Sequence, residues 1–285
     1  RSPTFACGVA IALMSCSDKD ESTATSPCPE TSVAHLTWTG EALVHDSSCG
    51  AFELRPRVIG DGSWTINFER NAEGGLVPTL TADDDSTFRG LVLEGEWSVE
   101  GQGDAVFWRQ GYQSWSWSGV TEPTEPERDD NGIIIPAGDG DGRTVFDENA
   151  STSWWVGLVG KADGSSALFG LQGATKTRFF VGLDTNTIQL VWGHRGERIA
   201  RDSGESLSLD PLWVGTGTDA HGLHSDYAQA TAQRVEPVAL DEPPPTGWAT
   251  WYQYYADVTE DDVRTNLSAL AGMTDSGEPP VEVFQ

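Results

Sequence analysis

Basic side chains are scarce in this sequence. Seventeen Lys and Arg stand against 44 Asp and Glu, a formal net charge of -27. That excess would repel nucleic acid and anionic lipid head groups, so neither is expected as a partner. Its plain reading is solubility in a salty or extracellular medium, and a neutral ligand such as a glycan tolerates it. Cysteine is rare too, with 4 residues, and no CxxC or Cys/His cluster is there to hold zinc. The 5 histidines, His35, His45, His194, His221 and His224, show no pairing at metal spacing. His221 and His224 lie three apart, but no third ligand joins them. No metal and no cofactor is expected. Apolar runs long enough to cross a bilayer are absent, as are long stretches of helical period, which argues against a helical bundle.

What is abundant points to β-structure. The chain has 285 residues, with 32 Gly, 15 Pro and 12 Trp. That is enough length for one large β-sandwich or two ordinary domains, and the composition suits a turn-rich architecture. Tryptophan is a large core filler and also the side chain best suited to stack on sugar rings. Most of these tryptophans are expected in a sandwich core.

The first residues read as a processing signal. Phe5 to Met14 form a short apolar run ending in Leu13-Met14-Ser15-Cys16, and the polar stretch "SDKDESTATSPCPE" follows. The run is too short to span a membrane. It resembles a bacterial lipoprotein signal, residues 1–16, in which cleavage precedes Cys16 and Cys16 carries the lipid. Met14 is unusual in that box, and only Arg1 remains of a basic leader, so the start reads as truncated. An ordinary secretory signal is the alternative, and either one exports the protein. Residues 17–31 would be a flexible tether. Export also leaves Cys28 and Cys49 as a possible disulfide pair in an oxidising compartment.

Residues 32–235 read as strand after strand. "SWTINFER" alternates Trp64, Ile66 and Phe68 on one face, and "FRGLVLEGEWSV" and "SWWVGLVG" are apolar runs bounded by Gly and charge. The turn-like Leu183-Asp184-Thr185-Asn186 between two β-rich stretches is a hairpin signal. A large antiparallel β-sandwich is predicted. Near Asp219 the pattern changes: Leu223, Tyr227 and Ala230 fall at helical spacing, and the helix is predicted to leave the sandwich. Residues 236–245, "EPVALDEPPP", form a stiff Pro-rich linker. The acidic runs Asp83–Asp85 and Asp129–Asp130 read as solvated turns. "GDGDGR", with Asp139 and Asp141, has Ala150 where a calcium loop needs Glu, so calcium is not expected.

Beyond the linker, residues 246–285 carry another pattern. "GWATWYQYY" packs five aromatics into nine positions and reads as a strand ending in a loop. Thr259 and Asp262 form a capping-box pattern flanked by Val258 and Val263. Val263, Leu267, Leu270 and Ala271 then make one apolar helix face that Gly272 ends. "VEVFQ" is a second strand. Strand, helix and strand make a βαβ unit with parallel strands, which needs parallel neighbours: the start of a barrel or of a doubly wound sheet. Chemistry in such sheets gathers at the C-terminal strand ends, where Trp251, Tyr252, Tyr254 and Tyr255 would lie. Trp248 and Tyr254 read as core packing. A second cluster, "RQGYQSWSWSG", Arg109 to Gly119, puts Trp115 and Trp117 on one face of an extended segment, read as a strand that ends at Gly119.

"GYQSWS" in the first domain, and "GWATWYQYYADVTEDDVRTNL" followed by "VEVFQ" in the second, resemble the α-galactosidases of glycoside hydrolase family 36. Both motifs stand in the family's order and separation. The resemblance implies a mainly β chain: a large N-terminal antiparallel sandwich, then the truncated βαβ start of a (β/α)8 barrel. It implies an N-terminal part of a retaining α-galactosidase that works without cofactor on terminal α-galactosyl residues. Trp251 and Tyr252 would line the sugar pocket, and Trp115 would reach towards the barrel mouth. The family's usual Cys or Ser after "GW" is Ala249 here. The catalytic aspartates would follow Gln285, so these residues alone should hydrolyse nothing. The family's chemistry needs two carboxylates about 5–5.5 Å apart, which sequence proximity does not supply. Two alternatives stay open: a non-catalytic glycan-binding surface lipoprotein, or a related α-N-acetylgalactosaminidase or galactosyl transferase. The oligomeric state is not legible.

Overall fold

The computed structural model describes residues 27–111, 118–135, 151–173, 176–185, 187–193, 196–235, 247–249, 251–275 and 283–284. The chain divides into two compact units, Arg1–Val235 and Glu236–Gln285. In chain order the first unit contains β1 (Ser32–Val33), β2 (Thr37–Trp38), β3 (Leu43–Ser47), β4 (Gly50–Asp61), β5 (Trp64–Arg70), β6 (Leu76–Ala82), β7 (Ser86–Val99), β8 (Gly101–Arg109) and β9 (Gly119–Thr121). It continues with β10 (Thr152–Trp154), β11 (Val156–Gly164), β12 (Ser166–Leu171), β13 (Phe179–Leu183), β14 (Thr187–Gly193), β15 (Ile199–Arg201), β16 (Ser206–Ser208), β17 (Leu212–Gly217) and α1 (Ala220–Arg234). The second unit contains β18 (Gly247–Trp248), α2 (Trp251–Tyr254), a 3-10 turn (Tyr255–Asp257), α3 (Glu260–Asp275) and β19 (Val283–Phe284).

The first unit is mainly β. Among the described residues, nine strands form one sheet along the order β16-β6-β17-β12-β11-β8-β9, with β1 and β5 added beside β17 and β6. Eight form the other, β10-β13-β14-β7-β4-β3-β2, with β15 beside β7. All these pairings are antiparallel. Period-two alternation sends one set of side chains inward from each sheet. Phe52, Leu54, Phe88, Leu91 and Leu93 meet Phe107, Val159, Phe169 and Val214 in the main core. Trp64, Ile66 and Phe68 of β5 pack on that core, as their alternation predicts.

Several strands are buried on both faces, which explains apolar runs without alternation. On β12 and β17, Phe169 and Val214 face the core, while Leu168 and Trp213 lie under α1 with Leu223. The helix therefore does not leave the sandwich: it packs on the sheet through Leu223, Tyr227 and Ala230, the residues whose spacing marked it as a helix. Asp219 caps its start by accepting from the His221 N–H at 3.0 Å. At its end Arg234 donates to the Gln172 carbonyl at 2.9 Å and faces the buried Asp210 carboxylate at 3.6 Å. On the other sheet the outer layer is the segment around Arg128–Ile134. Ile133 and Ile134 are completely buried there, and Ile133 packs with Val92, Phe180 and Val191. Asp129 shapes that turn by accepting from the N–H groups of Asn131 and Ile133 at 2.9 and 3.0 Å. What reads as a solvated acidic loop is thus also a cover for the sheet.

The hairpin signal at Leu183–Asn186 corresponds to β13 and β14, paired antiparallel, with the Asp184 carboxylate accepting from the Thr187 N–H at 2.7 Å. Asp84 serves another turn: bonds from the Ser86 hydroxyl and the Ser63 N–H hold its carboxyl below the usual carboxylate range.

In the second unit, β18 and β19 pair in parallel, Gly247 with Val283 and Trp248 with Phe284. The helix between them carries a formed capping box. The Asp262 N–H donates to Thr259 Oγ1 at 3.3 Å, and the Thr259 N–H and hydroxyl donate to the Asp262 carboxylate at 3.0 and 2.6 Å. These bonds from Thr259 hold Asp262 below its ordinary range. Of the expected apolar face, Leu270 is buried and Leu267 is 51% exposed. Two strands and their helix are not a barrel, and the described residues do not show one.

Candidate functional site

The residues on either side of the stretch that carries Trp115 and Trp117 are held against the sandwich. Residues 112–117 themselves lie outside the described residues. Gly119 does not end a strand: it opens β9, which pairs back onto β8 with Arg109 opposite Gly119. The Gly111 N–H donates to Ser118 Oγ at 2.9 Å, joining the two sides one step further out. Gln110 is fastened to β10: its N–H donates to Ser153 Oγ at 2.7 Å, and its carbonyl accepts from the Trp154 N–H at 2.9 Å. Ser153 is completely buried, and its hydroxyl donates to the Val156 carbonyl.

Beside these bonds the chain changes sheets. β10 belongs to the eight-stranded sheet and β11 to the nine-stranded one, and one residue, Trp155, separates them. Trp155 has φ 66°, a left-handed conformation that a bulky residue rarely adopts. Two bonds hold it there. Its N–H donates to the Phe179 carbonyl at 3.1 Å, and its carbonyl accepts from the Leu171 N–H at 2.9 Å. One residue therefore ties both sheets together. Gln110 and Ser118 stand inside the singled-out stretch "RQGYQSWSWSG" but carry no signal of a fastening role there, and Ser153 lies in a Ser-Trp-Trp run that reads equally as plain strand.

In the second unit, Trp251 and Tyr252 open α2, one helical turn just past β18. This corrects the expected loop: residues 251–257 are helical, and Tyr255, with φ 50°, marks the change of direction. Tyr254 Oη accepts from Asn266 Nδ2 of α3 at 3.0 Å, so the aromatic turn and the helix are bonded together. Trp248 and Tyr255 are 43% and 51% exposed; the core role expected of Trp248 is not filled within this unit.

Cys16 lies outside the described residues. Cys28 and Cys49 are joined in a disulfide, across a sequence separation of 21. It fastens the segment before β1 to the β3–β4 turn. That segment then runs along the sandwich, where the Pro29 and Glu30 carbonyls accept from the N–H groups of Thr218 and Asp219 at 3.0 and 2.8 Å. Among the described residues no group of three or more His, Cys, Asp and Glu is placed to hold a metal ion. No helix among them is long and apolar enough to cross a membrane.

No family model matches the chain, and no curated protein matches it. Similar solved structures exist. An alpha-galactosidase from Thermus thermophilus in complex with stachyose is 19% identical over 79% of this chain and 43% of its own, with a TM-score of 0.37. A GH36 alpha-galactosidase from Geobacillus stearothermophilus is 12% identical over 90% of this chain and 35% of its own, with a TM-score of 0.34. An alpha-galactosidase from Lactobacillus brevis is 10% identical over 90% and 34%, with a TM-score of 0.33. The chain thus spans between 34% and 43% of the length of these structures.

Proposed function

We propose that this chain is the N-terminal part of an exported, retaining α-galactosidase that hydrolyses terminal α-galactosyl residues. The observation that carries the reading is the parallel pairing of β18 with β19 across a capped helix, following a two-sheet sandwich. Parallel strands leave in the same direction, so the chain after Trp248 and the chain after Phe284 emerge at one end. Sites in parallel α/β sheets form at that end. Trp251 and Tyr252 come three and four residues after β18, and by the resemblance of "GWATWYQYY" they would line the sugar pocket. Trp115 is proposed as a further sugar-contacting residue. Completion of the sheet into a (β/α)8 barrel, the nucleophile and acid/base aspartates after Gln285, and lipidation of Cys16 belong to the same proposal.

Its test is to read the coding DNA past the Gln285 codon, express the longer product, and assay aryl α-galactoside and aryl α-N-acetylgalactosaminide beside the 285-residue chain. The expected result is turnover of the galactoside by the longer product, with the α-anomer released first, and none by the 285 residues. Turnover by the 285-residue chain would overturn the placement of the catalytic acids. A stop codon at that point, or an inactive folded longer product, would overturn the enzyme reading.

A further inference from the structure

Helix α1 covers only part of the outer face of its sheet. Leu223, Tyr227 and Ala230 pack with Leu168, Trp213, Trp108 and the start of β11, and the apolar layer continues beyond Trp108 along β8 and β9. Outward positions there should suit solvent if nothing covered them. They are Val106, Trp108 and Val120, and Val120 is 60% exposed. Between these strands and the start of α1 lies a cavity of about 310 Å³. Lys161, Ser166, Thr218 and His221 also line it. None of its described lining residues is acidic, in a chain with 44 Asp and Glu.

The indole of Trp108 is held in place before any ligand arrives. The His224 ring meets it edge to face, with centroids 4.6 Å apart and planes at 79°. His224 is itself fixed by its Nδ1, 2.8 Å from the Ala220 carbonyl, which can only accept. A ring pinned this way loses little freedom on binding.

We propose that this groove is an accessory site for one pyranose ring of a neutral glycan. The apolar C–H face of a sugar matches the indole and the two valines, and its hydroxyls match the ammonium, hydroxyl and imidazole groups of the rim. The volume lies at the lower end of ligand pockets, roughly 300–1,000 Å³, and so suits a single ring. A flat hydrocarbon would leave the polar rim unmatched. The site lies wholly within the first unit and does not depend on the catalytic reading.

The experiment is saturation-transfer NMR and calorimetric titration of the 285-residue chain with methyl α-D-galactopyranoside and methyl β-D-glucopyranoside. The parent chain is expected to bind at least one of them saturably. Trp108→Ala is expected to weaken binding by about tenfold or more, the effect of losing ~1.4 kcal/mol of ring contact. Val120→Lys, at an exposed position that folding tolerates, should weaken it as well, and Val33→Lys on β1, outside the groove, should not. No saturable binding by the parent would overturn the proposal. So would binding that survives Val120→Lys and is lost in Trp251→Ala, because the sugar would then sit in the second unit. Turnover by the longer product is read independently of either result.

Discussion

Gly170 makes the seating of α1 testable. On β12 this glycine lies directly beneath the Tyr227 ring: a Cβ added to it would come within 2.4 Å of Cε2, 2.7 Å of Cζ and 2.8 Å of Cδ2. Carbon atoms rest about 3.5–4.0 Å apart, so Gly170→Ala must lift the ring by about 1 Å. The ring is not free to rise, because Tyr227 Oη donates to the Leu171 carbonyl at 2.6 Å. Overpacking costs about 1–3 kcal/mol, and loss of the bond about 0.5–1.5 kcal/mol. The sum, about 1.5–4.5 kcal/mol, corresponds to a Tm lower by about 3–18 °C for a unit of this size. Thermal and urea unfolding, followed by the emission of buried Trp154, Trp192 and Trp213, would report it. A double-mutant cycle isolates the cause. With Tyr227→Ala the obstacle is gone, so Gly170→Ala in that background should cost under about 0.5 kcal/mol. A single mutant that unfolds within about 0.5 kcal/mol of the parent, or additive costs in the cycle, would refute the contact as the reason for glycine here.

Two further predictions concern the β3–β4 region. Replacing both Cys28 and Cys49 by Ser should lower stability by about 3 kcal/mol, the chain-entropy value for a loop this long, with reductant reproducing the loss in the parent and leaving the double mutant unchanged. His45 is buried against Phe52, its rings stacked at 5.4 Å, with its nitrogens 3.3 Å from the His35 carbonyl and 3.1 Å from Ser47 Oγ. Burial lowers its pKa, outweighing the raising effects of the His35 carbonyl and Asp46. The fold therefore favours the neutral ring. That contribution is fully present above the unfolded value, about 6.5, and is lost as pH falls below it towards the lower folded value. Urea unfolding between about pH 7.5 and 5 should show a decline that His45→Gln reduces, and an unchanged slope would count against it.

Much of the local structure was legible because it depends on near neighbours in the chain. The Thr259–Asp262 cap, the Asp184 turn and the helical spacing of Leu223, Tyr227 and Ala230 all rest on contacts within a few residues. The alternation of Trp64, Ile66 and Phe68 was readable for the same reason. Where reading failed, the missing fact was a distant partner. The helix at residue 220 looked as if it departs because nothing in its own sequence says that Gly170 and Trp213 wait beneath it. "GWATWYQYY" looked like strand and loop, since aromatics favour strands and no propensity marks a single helical turn at Trp251.

Composition and periodicity alone pointed to a β-rich chain with a helix-bearing end, because a strand buried on one face shows the two-residue repeat that Trp64, Ile66 and Phe68 follow. Which tryptophans fill the core and which line a groove was decided only in three dimensions. Trp154, Trp192 and Trp213 are enclosed, whereas Trp108 is half-buried against His224 of the covering helix and lines the groove beside it. The left-handed turn at Trp155 belongs to the same class: a residue takes that conformation when two sheets bond it from opposite sides, and those sheets are built from strands far away in the chain.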